Sequence, residues 1–130
     1  MKRLRGRQAF GATAETAAER YLRGKGYRIL ARNLRSRIGE LDLVAELGPV
    51  LVFVEVKARR TMALGGSAYA VDKRKQDRLV RLAAQYLARH RQQDRPCRFD
   101  VVLCQGGLAE SAGIEHVENA FEVPGDDLRW

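Results

Sequence analysis

The sequence predicts an α/β domain in which helices pack on one β-sheet, and three observations support it. Apolar residues recur at helical spacing in two segments, about Gln8 to Arg23 and Asp72 to His90. Short runs rich in β-branched and aromatic residues, separated by Gly-bearing turns, read as strands. The segments follow in the order α-β-β-β-α-β, with a short fifth strand expected within Ile114 to Val123.

Each element has its own signal. In the first helix Ala14, Ala18, Tyr21 and Leu22 share a face, and Gly24 and Gly26 end it. Tyr27 to Asn33 reads as the first strand. Ile38 to Glu46 alternates as the second, with Leu41, Leu43 and Ala45 on one face. Gly48-Pro49 marks a turn, and Val50 to Ala58 is the third strand. A polar loop from Arg59 to Ser67 leads to the second helix. Its apolar stripe is Leu79, Leu82, Ala83, Tyr86 and Leu87, while Lys73, Arg74, Lys75, Arg78 and Arg81 crowd its first turns. Arg98 to Gln105 is the fourth strand, broken by Gly106-Gly107.

No repeat or linker divides the 130 residues, so a single domain is expected over 1–130, with its core at about 8–123 and a tail at 124–130. Hydrophobic residues at 45% and charged residues at 31% are those of an ordinary folded domain and exclude a disordered or collagen-like chain. No apolar run approaches the ~20 residues of a membrane span, and the interrupted N-terminal segment does not read as a signal peptide. Cys97 and Cys104 are too few for a disulfide framework or a four-ligand zinc site. They are expected to pack as small apolar residues in a reducing cytoplasm.

The net charge of +8 favours polyanionic partners, and it is unevenly spread. Residues 1–37 carry 11 Lys or Arg against 2 acids, and residues 58–100 carry 11 against 4. Between them, residues 38–57 carry 1 against 4. An acidic island thus lies between two basic blocks.

That island holds the most informative pattern. Folding the second and third strands about Gly48-Pro49, with Leu47 opposite Val50, sets Asp42 opposite Glu55 and Glu40 opposite Lys57. Leu41, Leu43 and Ala45 then face Val56, Val54 and Val52 as one apolar layer, and a one-residue slip would scramble both faces. Like charges directly opposite repel, so Asp42 and Glu55 invite a cation between them. A Mg²⁺ ion, which takes one or two carboxylates plus phosphate and water, suits the gap, and Lys57 would stand beside it. The same residues are also compatible with a solvated face of an amphipathic hairpin. Leu51 and Phe53 share that acidic face and require cover from the first helix or a loop. Glu40 fits either an ion pair with Lys57 or a metal role.

The pattern Glu15…Ala18…Tyr21-Leu22…Gly26-Tyr27…Asn33…Gly39-Glu40-Leu41-Asp42…Val52-Phe53-Val54-Glu55-Val56-Lys57…Lys75…Arg98-Phe99-Asp100-Val101-Val102 resembles the YraN family of small bacterial proteins, from about Gly11 to Leu103. That family is similar to the PD-(D/E)XK nucleases, akin to archaeal Holliday-junction resolvases. The resemblance implies a restriction-endonuclease-like αβββαβ core, with a mixed central sheet flanked by helices. It implies a Mg²⁺- or Mn²⁺-dependent endonuclease acting on DNA, with Asp42, Glu55 and the first-helix acid Glu15 as metal ligands. Lys57 would position the attacking water. Ala14 departs from the Gly often found before that first-helix acid. Kinship to resolvases also implies branched DNA as substrate and a homodimer.

Several basic residues are candidates for nucleic acid: Arg35 and Arg37 beside the first hairpin, Arg59 and Arg60 after Lys57, and Lys73 and Lys75 opening the second helix. Such contacts neutralise phosphates and position a duplex without reading its sequence. A non-catalytic nucleic-acid-binding module on the same scaffold is the alternative, and an interaction protein using the acidic segment 110–127 is a third. Asp100 is expected to pair with Arg98. His90 fits a helix C-terminus, His116 carries no catalytic pattern, and Tyr69 and Trp130 are candidate stacking residues.

Overall fold

The computed structural model describes residues 6–59, 71–105 and 113–123. The elements follow the expected order: α1 (Gly6–Gly24), β1 (Arg28–Ser36), β2 (Gly39–Leu47), β3 (Val50–Arg59), α2 (Lys73–Arg89), β4 (Cys97–Gln105) and β5 (Ile114–Val117). The strands form one sheet in the order β1-β2-β3-β4-β5. Neighbours are antiparallel except β3 and β4, which run parallel with Leu51 beside Cys97 and Arg59 beside Gln105. A parallel pair needs a long crossover, and α2 lies within it.

The helices cover opposite faces of the sheet. Ala14, Ala17, Ala18 and Leu22 of α1 pack with Leu43, Val52, Val54 and Val102. Leu79, Leu82, Tyr86 and Leu87 of α2 pack with Leu51, Phe53, Phe99 and Leu103. The small side chains of α1 allow its backbone to sit close to the strands. Leu51 and Phe53 are 0% and 2% exposed, and among the described residues α2, with Val71 just before it, shares their side of the core, while α1 packs on the other face. Cys104 is buried and Cys97 half-buried, both as free thiols. Burial pushes the Cys104 thiol up to about 11, in keeping with a packing role.

The helix ends follow from local chemistry. Asp72, in extended conformation, accepts the Lys75 amide at 2.8 Å and caps α2. At the other end His90 is the C-cap, its ring stacked on Tyr86 at 4.0 Å. Gly26 takes a φ of +94° after α1, where the Tyr27 amide returns to the Leu22 carbonyl. Among the described residues, no helix is long and apolar enough to cross a membrane.

The end of the sheet is tied down by a buried charge network on the α1 side. Arg98 donates twice to Asp100, at 2.9 and 2.8 Å, and once to the Tyr27 hydroxyl at 2.6 Å. His116 Nε2 lies 2.7 Å from Asp100, and the Asn119 amide donates to the same carboxylate at 3.0 Å. Burial alone would push the Asp100 carboxyl up. The hydrogen bonds from His116, Arg98 and Asn119 outweigh it and hold the carboxyl below its ordinary range. The expected Arg98–Asp100 pair is therefore present, and His116, far away in sequence, is part of the same structural cluster. Replacing Asp100 with Ala would leave Arg98 and His116 without their shared acceptor. The expected cost is about 3–5 kcal/mol, read as a lowered urea midpoint; a midpoint unchanged from wild type would show that the network carries no stability.

Candidate functional site

The site begins with an interruption of the sheet. Between β2 and β3 the ladder pairs Leu47 with Val50, Ala45 with Val52 and Leu43 with Val54, the expected register. Past Leu43 the pairing changes: the Val56 amide donates to the Asp42 carboxylate at 2.8 Å. A side chain here takes a ladder amide. The apolar alternation breaks at the same place, since Leu43 packs on the α1 side and Leu41 on the α2 side. Residues two apart in a regular strand share a face, so the single layer expected of Leu41, Leu43 and Ala45 stops at Leu43.

The neighbouring strand shows a cause. Asn33, set between the Arg32–Leu43 and Leu34–Leu41 pairs, has a φ of +54°. A left-handed residue inside a strand turns the chain, and Asn tolerates that conformation better than other side-chain-bearing residues. Oriented with its nitrogen toward the acids, the Asn33 amide donates to Glu15 at 2.8 Å and to Glu40 at 3.2 Å. One residue thus twists β1 and bridges two carboxylates, one from α1 and one from β2.

Four acids feel one another around this twist. Asp42 is pushed from 3.8 up to about 7, first by burial, against the opposing Val56 hydrogen bond, and further by the charges of Glu15, Glu55 and Glu40. Glu15 is raised by burial and by Glu40, with Asn33 and Arg35 opposing. Glu55 is 9% exposed, and the Lys75 ammonium lies 2.6 Å from it. A cation already sits against this carboxylate.

The structure therefore gathers Glu15, Asp42 and Glu55, joins to them Glu40 and Lys75, which the sequence had offered for other or alternative roles, and adds a structural role for Asn33. Lys57 is exposed on β3, two residues from Glu55 and so on the same face. Glu40 does not face Lys57 as the register suggested. Its partners are Asn33 and Arg35, the latter at 3.9 Å, because the twist ends the β2–β3 ladder before Glu40. Arg35 and Arg37 are exposed beside the β1–β2 turn. Lys73 forms an exposed pair with Asp77 at 3.2 Å. Arg59 ends β3, but its side chain, like Arg60 and Tyr69 in the loop and Trp130 in the tail, lies outside the described residues. The sequence marked Asn33 only as the end of a predicted strand and as one residue of the family-like pattern.

Among the described residues, no three His, Cys, Asp or Glu side chains are arranged to enclose a metal ion as they stand. The donor chemistry nonetheless fits a hard divalent cation: carboxylate oxygens only, with one carboxyl raised toward neutrality by burial and by the neighbouring acids, and a lysine ammonium against another.

The mixed sheet, the αβββαβ order and acids on adjacent strands define an α/β protein with a core of the restriction-endonuclease-like kind. The family model described as uncharacterised protein family UPF0102 matches residues 14–104. The chain belongs to this family, which is the YraN family. A UPF0102 protein of Symbiobacterium thermophilum is 50% identical over 113 residues, covering 87% of this chain and 96% of its own. One from Desulfosudis oleivorans is 42% identical over 120 residues, covering 92% and 95%. One from Pseudomonas putida is 44% identical over 113 residues, covering 86% and 92%.

The raised Asp42 carboxyl makes a signed prediction. Its native value of about 7 lies above the ordinary 3.8, so the folded state binds the proton more tightly. Stability therefore falls as pH rises from about 4 to about 7 and is level above that. The full difference corresponds to at most about 4 kcal/mol. Asp42→Asn keeps an acceptor for Val56 and removes the charge, so in EDTA it is expected to raise Tm at pH 8 and to have little effect near pH 4. A gain in Tm independent of pH would refute carboxylate crowding as its cause.

Proposed function

We propose that the protein is a Mg²⁺- or Mn²⁺-dependent endonuclease that hydrolyses phosphodiester bonds in DNA, with junction or branched DNA as its substrate and a homodimer as its working form. The observation that carries this reading is the half-buried Asp42 carboxyl, bonded to the Val56 amide and raised toward neutrality beside Glu15 and Glu55 where β2 and β3 part. The family resemblance supplies the reaction, and the net charge of +8 suits a polyanionic substrate.

In this reading Asp42, Glu55 and Glu15 hold the ion. A divalent ion bound there would lower the pKa of a water and offset charge developing on the phosphate. Asn33 keeps Glu15 and Glu40 in place. Lys57, on the exposed side of Glu55, holds a water or a phosphate oxygen. Lys75, 2.6 Å from Glu55, balances that carboxylate, and a divalent ion held there would take over that charge.

The Lys75–Glu55 pair also favours a second reading. At 2.6 Å it already neutralises one of the proposed ligands, as a DNA-binding module that keeps the scaffold without turnover would allow. Nicking of supercoiled and junction DNA separates the two. A nuclease nicks only with Mg²⁺ or Mn²⁺, and Asp42→Asn and Lys57→Gln each lower the rate by ~100-fold or more. Tight metal-independent binding with no nicking by wild type across these substrates would favour the module. Nicking by Asp42→Asn at the wild-type rate would reject the proposed site.

A further inference from the structure

Beside the acidic site lies a groove of about 570 Å³, between the β1–β2 turn and the outer face of α2. Ile38 lines one side, and Lys73, Arg74, Asp77, Arg78 and Arg81 line the other. Arg74, Arg78 and Arg81 recur at spacings of four and three residues, so they share one face of the helix. They span about 10.5 Å of helix axis.

Three of the four cations lining the groove make no ion pair among the described residues. Among the described residues, the ion pairs engage Lys73 with Asp77 and Lys75 with Glu55, and none engages Arg74, Arg78 or Arg81. No acid occupies the first turn of α2. Of the three arginines, Arg74 stands in that turn, where a cation opposes the helix dipole and the Asp72 cap carboxylate offsets part of the charge.

The groove is also shaped to keep Arg78 in place. A Cβ on Gly39 would lie 2.9 Å from Arg78 Cδ and 3.5 Å from its Cγ. Gly39 has a φ of +149°, a conformation that side-chain-bearing residues rarely adopt. A glycine at the turn thus lets the aliphatic stem of Arg78 lie across the start of β2, with its guanidinium beyond. Two residues at the groove are sequence neighbours of site residues. Arg74 precedes Lys75, which holds Glu55, and Gly39 precedes Glu40.

We infer that this groove is a docking track for the sugar-phosphate backbone of a DNA duplex, with Arg74, Arg78 and Arg81 as its phosphate contacts. The inference rests on the DNA reading above and assigns where the substrate lies on the protein. Each strand carries one phosphate per ~3.4 Å of duplex axis, so guanidiniums spread over ~10.5 Å meet more than one phosphate. Contacts of this kind bring the backbone to the acids and select no sequence.

The test is duplex binding by fluorescence anisotropy in EDTA, where hydrolysis plays no part, across ~50 to 200 mM salt. The combined variant Arg74→Gln, Arg78→Gln and Arg81→Gln keeps good helix formers. A control variant carries Arg20→Gln, Arg28→Gln and Arg91→Gln, three exposed positions outside the groove. The groove variant is expected to flatten the slope of log K against log salt by about 2–3, while the control retains most of the wild-type slope. Its melting temperature, measured alongside, is expected to be no lower than that of wild type. Equal losses in both variants, or no loss in the groove variant, would overturn the groove. So would equal competition by polyglutamate, which has charge but no phosphate. Absence of duplex binding by wild type would overturn the DNA reading with it. Groove-dependent binding without nicking under Mg²⁺ or Mn²⁺ would remove only the hydrolytic reading.

Discussion

The Asp42 carboxylate accepts the Val56 amide where a strand carbonyl would ordinarily do so, and the site grows from that substitution. A buried backbone amide must find an acceptor, so the carboxylate is held between β2 and β3 and partly withdrawn from water. Withdrawal brings it under the influence of Glu15 from α1, Glu55 from β3 and Glu40 from β2. The hydrogen bond favours the charged form, while burial and three neighbouring acids favour the neutral one, and the outcome lies near pH 7. An added cation would shift that balance more readily than it could for an exposed carboxylate.

Much of this architecture was legible in the sequence. Helical stripes and Gly-bearing turns placed every element to within a few residues, and the apolar pattern set the register of the hairpin from Leu47–Val50 to Leu43–Val54. The register stopped being informative at Asp42, because alternation carries no warning of a left-handed residue in the adjacent strand. Asn33 turns β1, Leu41 passes to the α2 side, and Glu40 goes to Asn33 and Arg35 instead of Lys57. The cover over Leu51 and Phe53 was hidden for a different reason. It depends on α2 crossing between parallel strands, a long-range arrangement that strand-by-strand pattern does not specify.

The two buried charge clusters behave in opposite ways. Asp100 is surrounded by donors from Arg98, His116 and Asn119, so it is held charged and joins β4 to the segment after β5. Asp42 is surrounded mainly by acids and is held near neutrality. His116 and Asp100 are 16 residues apart, and neither sits in a recognisable motif, so only the folded chain joins them. One cluster thus keeps its acid charged, and the other raises its acid toward neutrality.

Crystals soaked with Mn²⁺ and read by anomalous scattering address the site most directly. An ion bridging Asp42 and Glu55, about 2.0–2.2 Å from their oxygens, with the Lys75 ammonium moved away from Glu55, is the expected result. No anomalous density at this position at saturating Mn²⁺, with Lys75 still holding Glu55, would mean that these acids are not a metal centre.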